Sequence, residues 1–105
     1  MRNIGRVSRD FRFGVGVWGA KSRDRFVETA RRFEGFGFDV YNVADHLGGA
    51  APFPMLAAAA QVTSRIRLGT YVLNAAFYSP ALLARDAADV DLLSDGRLDL
   101  GLGAG

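Results

Sequence analysis

Apolar and polar residues along this chain form two kinds of segment. Four short runs, flanked by glycine, are mostly apolar on both faces, as parallel strands covered on two sides should be. They occupy residues 13–17, 40–44, 67–73 and 98–102. Three longer stretches between them repeat apolar residues at helical spacing. The pattern therefore predicts an α/β chain with four strands and three helices.

The predicted helices have identifiable ends. The first follows Ser22, a residue type favoured at the N-cap, and meets glycines at positions 35 and 37 that suit a C-cap. One face of this helix carries Phe26, Ala30 and Phe33.

The two later helices are predicted to begin at prolines. The second starts at Pro54, whose ring suits a first helical turn, and runs to about Ser64. The third starts at the pair Ser79 and Pro80 and stops at Gly96.

The spacing of the predicted strands indicates the fold class. They begin at positions 13, 40, 67 and 98, which are 27, 27 and 31 residues apart. A TIM (β/α)8 barrel allots roughly 31 residues to each strand–helix unit, so the spacing fits. A doubly wound sheet has similar units, but the first turn, VWGAKSRD, lacks the G-x-G-x-x-G of a dinucleotide-binding turn. We therefore predict that residues 1–105 are one domain, the N-terminal part of a TIM barrel, whose last strand is an uncovered edge.

Composition excludes several classes of protein. Half of the 105 residues are hydrophobic, yet no apolar run reaches the roughly 20 residues of a membrane span. The net charge is +2, and the arginines are scattered rather than gathered with aromatic residues as a nucleic-acid platform. With no cysteine and one histidine, the usual nitrogen and sulfur metal sites cannot form. We expect a cytoplasmic protein that uses no membrane, nucleic acid or metal.

The one histidine stands at the end of the second predicted strand. Asp45 and His46 follow an apolar run and precede Gly48 and Gly49. Ligands of parallel α/β folds lie at the carboxyl ends of the strands, which makes both residues candidates for a site. A second interpretation stays open, in which Asp45 bonds backbone amides of a turn and His46 is a surface residue.

The ends of the next two strands also carry candidates. Thr70, Tyr71 and Asn74 stand at the third strand, where Gly69 suggests a bulge or a close backbone contact; ordinary strand packing and a helix cap explain them too. The fourth ends in LGLGAG, whose glycines either admit a planar ligand or fill a narrow barrel.

Arg97 belongs to the opposite end of the predicted barrel. It is either an anion ligand or, as its position favours, one half of a structural ion pair with Asp91 or Asp95.

Four segments taken together resemble the luciferase-like superfamily of flavin- and deazaflavin-dependent oxidoreductases and monooxygenases. They are GFDVYNVADH, PFPMLAAAAQVTSRIRLGTYVL, SPALLARDAADVDLLSDGR and LGLGAG, in the family's order and spacing. The segment ADHLGGAAPFPMLAAAA is most similar to the branch that uses the deazaflavin coenzyme F-420, with FMN as the alternative. The resemblance implies a TIM barrel roughly three times this length.

The resemblance also implies roles for particular residues. Asp45 and His46 match an Asp-His pair beside the coenzyme's ring, with His46 as catalytic proton donor or acceptor and Asp45 orienting it or bonding the coenzyme. The bond between Tyr71 and Val72 matches a non-proline cis peptide that braces the ring. Asn74 matches a position near the ring's polar edge.

One main hypothesis and one alternative follow. The main hypothesis is an F-420- or FMN-dependent oxidoreductase that transfers hydride between the coenzyme and a small organic substrate. The alternative is a non-catalytic half-barrel that forms a homo-oligomer or pairs with a separate C-terminal half-barrel. The choice among dehydrogenation, reduction and monooxygenation stays open.

Overall fold

Strands and helices alternate along residues 10–105, the part of the chain that the computed structural model describes. The strands are β1 (Gly14–Val17), β2 (Val40–Val43), β3 (Arg67–Thr70), β4 (Leu73–Asn74), β5 (Leu98–Asp99) and β6 (Leu102–Gly103). The helices are α1 (Arg23–Gly35), α2 (Pro52–Val62) and α3 (Pro80–Leu93), and a 3-10 turn spans Ala75–Phe77. The first nine residues of the predicted domain lie outside this range.

The main sheet has the order β1-β2-β3-β5, and every pair in it is parallel. Gly14 lies opposite Val40, Val40 opposite Arg67, and Leu68 opposite Leu98. A second parallel pair, β4 with β6, forms a separate two-stranded sheet. The predicted α/β class with a parallel sheet is confirmed.

The third and fourth predicted strands are each broken in two. A bulge or close backbone contact was expected in the third strand, whereas the break in the fourth was not. At the break, the Thr70 hydroxyl donates to the Gly101 carbonyl over 2.7 Å and accepts from the Gly101 amide over 2.9 Å. A side chain therefore takes the place of the backbone ladder at this level. Gly69 itself lies within β3, and the break follows one residue later.

Helix starts follow the predicted caps, with one correction. The Ser22 hydroxyl accepts from the Arg25 amide, and the Ser79 hydroxyl accepts from the Leu82 amide. The second helix begins at Pro52, not at Pro54, because the first proline of the PFP segment already supplies a residue suited to the first turn.

The three helices cover one face of the main sheet, and the hydrophobic core lies between the helices and the sheet. Tyr41, Val43 and Leu68 point from the strands into this layer and are at most 1% exposed. The helices contribute Phe26, Ala30, Leu56, Ala59, Ala60 and Val90. Tyr41 is buried in this packed layer, and its burial raises the pKa of the phenol to about 12.

At the amino-terminal end of the strands, Arg97 joins two helices to the sheet. Its guanidinium is buried and donates to the carbonyls of Ala60, Thr63, Ile66 and Ser94, at 2.6–3.2 Å, and to the Thr63 hydroxyl at 2.9 Å. The prediction of an ion pair between Arg97 and Asp91 or Asp95 is wrong, since the guanidinium bonds these uncharged oxygens. The Asp91 carboxylate accepts from the Leu98 amide instead. Carbonyls at helix ends carry partial negative charge, which suits a guanidinium.

Glu34 makes a second connection at the same end. Its carboxylate accepts from the backbone amides of Ser64, Arg65 and Ile66 over 2.7–3.2 Å. Burial acts to raise the pKa of Glu34, but these three hydrogen bonds and the Arg65 charge outweigh it, so the pKa falls below its ordinary value. The loop before β3 is thereby tied to the end of α1.

Candidate functional site

The carboxyl ends of β1, β2 and β3 meet at one edge of the sheet, where the loops into α1 and α2 and the break after β3 lie. Neighbouring parallel strands place their end residues side by side. Residues at positions 18, 45–46 and 71–74, distant in sequence, are therefore brought together at this edge.

Asp45 turns towards β4. Its carboxylate accepts from the Asn74 backbone amide over 2.8 Å. The Tyr78 phenol lies close by: burial raises its pKa, and the charge of Asp45 and a hydrogen bond to that carboxylate raise it further. Within residues 10–105, the hydrogen bond of the Asp45 carboxylate thus connects the end of β2 with β4, rather than with His46.

His46 is exposed and lies against the indole of Trp18. The two ring centroids are 4.6 Å apart and their planes are inclined by 21°, which is a stacked arrangement. Trp18 directly follows β1, as Asp45 and His46 follow β2 after Ala44.

The break after β3 contains a cis peptide bond between Tyr71 and Val72, the bond that the family resemblance indicated. The Tyr71 ring is 75% exposed. Its amide donates to the Val43 carbonyl over 3.1 Å. The Asn74 side chain accepts from the Ala76 amide over 3.2 Å and so caps the 3-10 turn.

An open cleft of about 580 Å³ runs along the inner face of the sheet, the face opposite the helices. It brings His46 and Tyr71 together, whereas Asp45, Val72 and Asn74 do not line it. Its walls consist of Gly14, Val15, Gly16, Val17, Trp18, Asn42, Ala44, His46 and Tyr71.

Of the lining residues with a polar or aromatic side chain, sequence reasoning missed Trp18 and Asn42. Trp18 had an available indication, because it follows β1 at the level where Asp45 and His46 follow β2. The sequence carries no such indication for Asn42, since a polar residue inside a short strand does not show which face of the sheet its side chain occupies. Gly14 and Gly69 leave room for its amide, as a Cβ on either would crowd it.

The structure also bears on metals and membranes within residues 10–105. In that range no three His, Cys, Asp or Glu side chains gather in a way that would hold a metal ion. No helix in it combines the length and apolarity needed to span a bilayer.

A parallel sheet whose strands alternate with helices defines an α/β protein, a class whose ligands lie at the carboxyl ends of the strands. A family model described as luciferase-like monooxygenase matches residues 9–105. The chain therefore belongs to the luciferase-like monooxygenase family.

Two relatives illustrate the likeness in sequence. The F-420-dependent glucose-6-phosphate dehydrogenase of Amycolatopsis mediterranei is 42% identical over 88 residues, covering 75% of this chain and 26% of the relative. The 4-hydroxyprotoasukamycin monooxygenase of Streptomyces nodosus subsp. asukaensis is 34% identical over 97 residues, covering 88% of this chain and 24% of the relative. The chain spans about a quarter of the length of the curated relatives that it matches.

Solved structures support the same fold. The coenzyme F-420-dependent tetrahydromethanopterin reductase of Methanopyrus kandleri superposes with a TM-score of 0.85 at 27% identity, covering 92% of this chain and 28% of that one. A monooxygenase from Streptomyces bottropensis superposes with a TM-score of 0.76 at 32% identity, covering 90% of this chain and 33% of that one. The predicted fold class, part of a TIM barrel, is confirmed.

Proposed function

We propose that this chain contributes the strand-end half-site of an oxidoreductase that uses F-420 or FMN to transfer hydride to or from a small organic substrate. The observation that carries the proposal is the cleft in which His46, Trp18 and Tyr71 surround the carboxyl ends of β1, β2 and β3. Family membership and the F-420-dependent relatives support it.

The residues of the cleft fit a flat, partly polar ring. Gly14 and Gly16 leave the β1 wall without side chains, and the exposed Tyr71 ring and the Trp18 indole offer aromatic surfaces. The Asn42 amide supplies a donor and an acceptor on the inner face. Together these features favour a tricyclic heteroaromatic coenzyme over a small polar metabolite bound alone.

The coenzyme supplies the hydride chemistry when bound, and the protein supplies placement and proton handling. In the proposal, His46 is the catalytic residue that holds or releases a proton beside the ring, a role suited to an imidazole near neutral pH. Tyr71 would support one face of the ring from within the cleft. The family resemblance also assigns Val72 to that support and Asn74 to the ring's polar edge, although neither side chain lines the cleft.

Asp45 takes a positioning part in the proposal. Its carboxylate holds the Asn74 amide, and through it the segment that follows the Tyr71–Val72 bond. In the proposal the coenzyme-binding residues are Asp45, His46, Tyr71, Val72 and Asn74, with Asp45 acting through β4.

F-420 is the preferred coenzyme because several F-420-dependent relatives are about 40% identical to this chain. FMN remains the alternative. The substrate is proposed only as a small organic molecule, since the two relatives above are named for different substrates, a sugar phosphate and 4-hydroxyprotoasukamycin.

The proposal is tested by titrating the purified protein with oxidised and reduced F-420 and FMN and then measuring hydride transfer in the His46→Ala variant. We expect micromolar binding of one coenzyme, and a loss of about 100-fold or more in kcat for His46→Ala with binding largely retained. Leu47→Ala is the matched control, because Leu47 is 84% exposed and does not line the cleft. Absence of binding by both coenzymes would refute the proposal.

A second candidate, a half-barrel that pairs with another chain, is favoured by one observation. Large apolar side chains are exposed next to both outer strands of the main sheet and on α3: Phe11, Phe13, Leu82, Leu92, Leu93, Leu100 and Leu102. Size-exclusion chromatography with light scattering tests it, since a folded dimer without coenzyme would support pairing and an unfolded monomer would exclude it.

A further inference from the structure

The loop that carries His46 is fastened to the end of β1 at both of its ends. The Ala44 amide donates to the Val17 carbonyl over 3.2 Å, and the Ala50 amide donates to the Trp18 carbonyl over 2.9 Å. Between these two hydrogen bonds the chain turns back on itself, because the Gly49 amide donates to the His46 carbonyl over 2.9 Å.

Gly49 lets this turn approach β1 closely. A Cβ at that position would lie 3.1 Å from the Trp18 carbonyl oxygen and 3.3 Å from the His46 carbonyl oxygen, and both of these atoms belong to the backbone. A larger residue would therefore push the turn away from Trp18.

The side chains continue the same connection. The imidazole of His46 stacks on the indole of Trp18 at 4.6 Å, while the indole is 62% exposed and the imidazole is also exposed. Burial does not restrict either ring, so the stacking contact is what limits the imidazole's orientation. An exposed side chain without such a contact samples several rotamers.

We propose that Trp18 is a positioning residue for His46, holding the imidazole flat against one wall of the cleft. The backbone bonds to β1 set where the loop lies, and the indole sets which way the ring faces. The catalytic meaning of this contact rests on the proposed function, but the contact itself is measurable without any coenzyme.

Proton NMR tests the contact directly, because the chain has one histidine and one tryptophan and their resonances need no assignment among several candidates. We expect nuclear Overhauser effects between the imidazole and indole protons and a ring-current displacement of the imidazole resonances. Both should disappear in Trp18→Leu, whereas Trp18→Phe should keep a weaker ring-current displacement and show Overhauser effects to the phenyl protons instead. Gly49→Ala should reduce them, whereas Gly16→Ala, whose Cβ would meet nothing within 4 Å, should leave them unchanged.

Kinetics test the consequence. Trp18→Leu should lower kcat about tenfold with a smaller change in KM, and Trp18→Phe should restore most of the rate, because placement of a reacting group acts on the chemical step. Imidazole resonances at free-histidine values in the unmodified protein would overturn the proposal. So would equal rates for Trp18→Leu and the unmodified protein.

Failure of the proposed function would look different. In that case the imidazole and indole signals would show the stacked pair, and no coenzyme would react with the unmodified protein. That result would remove the catalytic role and uphold the positioning contact.

Discussion

The two faces of the main sheet differ in burial and in the kinds of side chain that they carry. The outer face is closed by three helices, and Val43, Leu56 and Leu68 have no exposed surface. The inner face carries glycines, an amide and the exposed rings of Trp18 and Tyr71. Stability is concentrated where side chains interlock, and the candidate chemistry lies where the chain leaves space.

The two ends of the strands differ in the same way. At the amino-terminal end, Arg97 and Glu34 satisfy backbone carbonyls and amides of neighbouring elements. At the carboxyl end, Asp45 connects the loop after β2 with β4, while His46 and Trp18 stack on each other and line an open cleft. This division is the one expected of a TIM barrel, and variants that separate stability from function can test it.

The largest loss of stability is expected from Arg97→Ala. It would leave the carbonyls of Ala60, Ile66 and Ser94 without their donor, and we expect a cost of about 3–5 kcal/mol in the free energy of unfolding. Denaturant titration followed by circular dichroism measures it. Arg97→Lys is the control and should recover part of the loss, since an ammonium has three donors. A cost below 1 kcal/mol would show that the guanidinium is not the connection we describe.

Gly101→Ala should have the next largest effect. A Cβ at Gly101 would overlap the Thr70 carbonyl oxygen, a backbone atom that cannot rotate away. We therefore expect Gly101→Ala to lower the free energy of unfolding by about 2–3 kcal/mol. The hydrogen bonds between Thr70 and Gly101 would be displaced with it, disturbing the segment before Tyr71. Gly16→Ala is the matched control, with open space around its Cβ and an expected change within about 0.5 kcal/mol. Equal stability of the two variants would contradict the close contact.

Glu34→Gln should have the smallest effect and a distinctive pH dependence. The folded-state pKa of Glu34 lies below its ordinary value of 4.5, so the carboxylate stabilises the fold fully above that value and less as pH falls through the folded pKa. We expect Glu34→Gln to lower the free energy of unfolding by about 1 kcal/mol at pH 7, a value kept small because the carboxylate is partly exposed. The difference in stability between the two proteins should shrink below pH 4.5. Thermal unfolding of both proteins between pH 3 and pH 7 checks this. A difference independent of pH would contradict it.

Much of the fold was predictable because it depends on local patterns. Strand spacing, the serine caps of α1 and α3 and the apolar face of α1 indicated the parallel α/β order correctly. Gly69 indicated a bulge or close contact in the third strand, but the break after Asp99 was not predictable, because a threonine hydroxyl bonded across strands leaves no trace in the hydrophobic pattern. Arg97 was placed at the correct end, but carbonyl partners distant in sequence cannot be inferred from spacing.

The site was predictable only in part. Asp45 and His46 end β2 as the pattern indicated, yet their side chains diverge, one towards Asn74 and the other onto Trp18. The direction of a side chain in a loop depends on tertiary contacts that a single sequence does not carry. Asn42 entered the site through the face that it occupies in β2, which only the structure supplies.

The central claim, that a flat redox coenzyme lies in the cleft between Trp18, His46 and Tyr71, is tested most directly by intrinsic fluorescence. Trp18 is the only tryptophan of the chain, so its emission reports on this cleft alone. Titration with F-420, and separately with FMN, should give saturable quenching of that emission in the micromolar range for one of them. Emission that stays unchanged while either coenzyme binds, or the binding of neither coenzyme, would contradict the account.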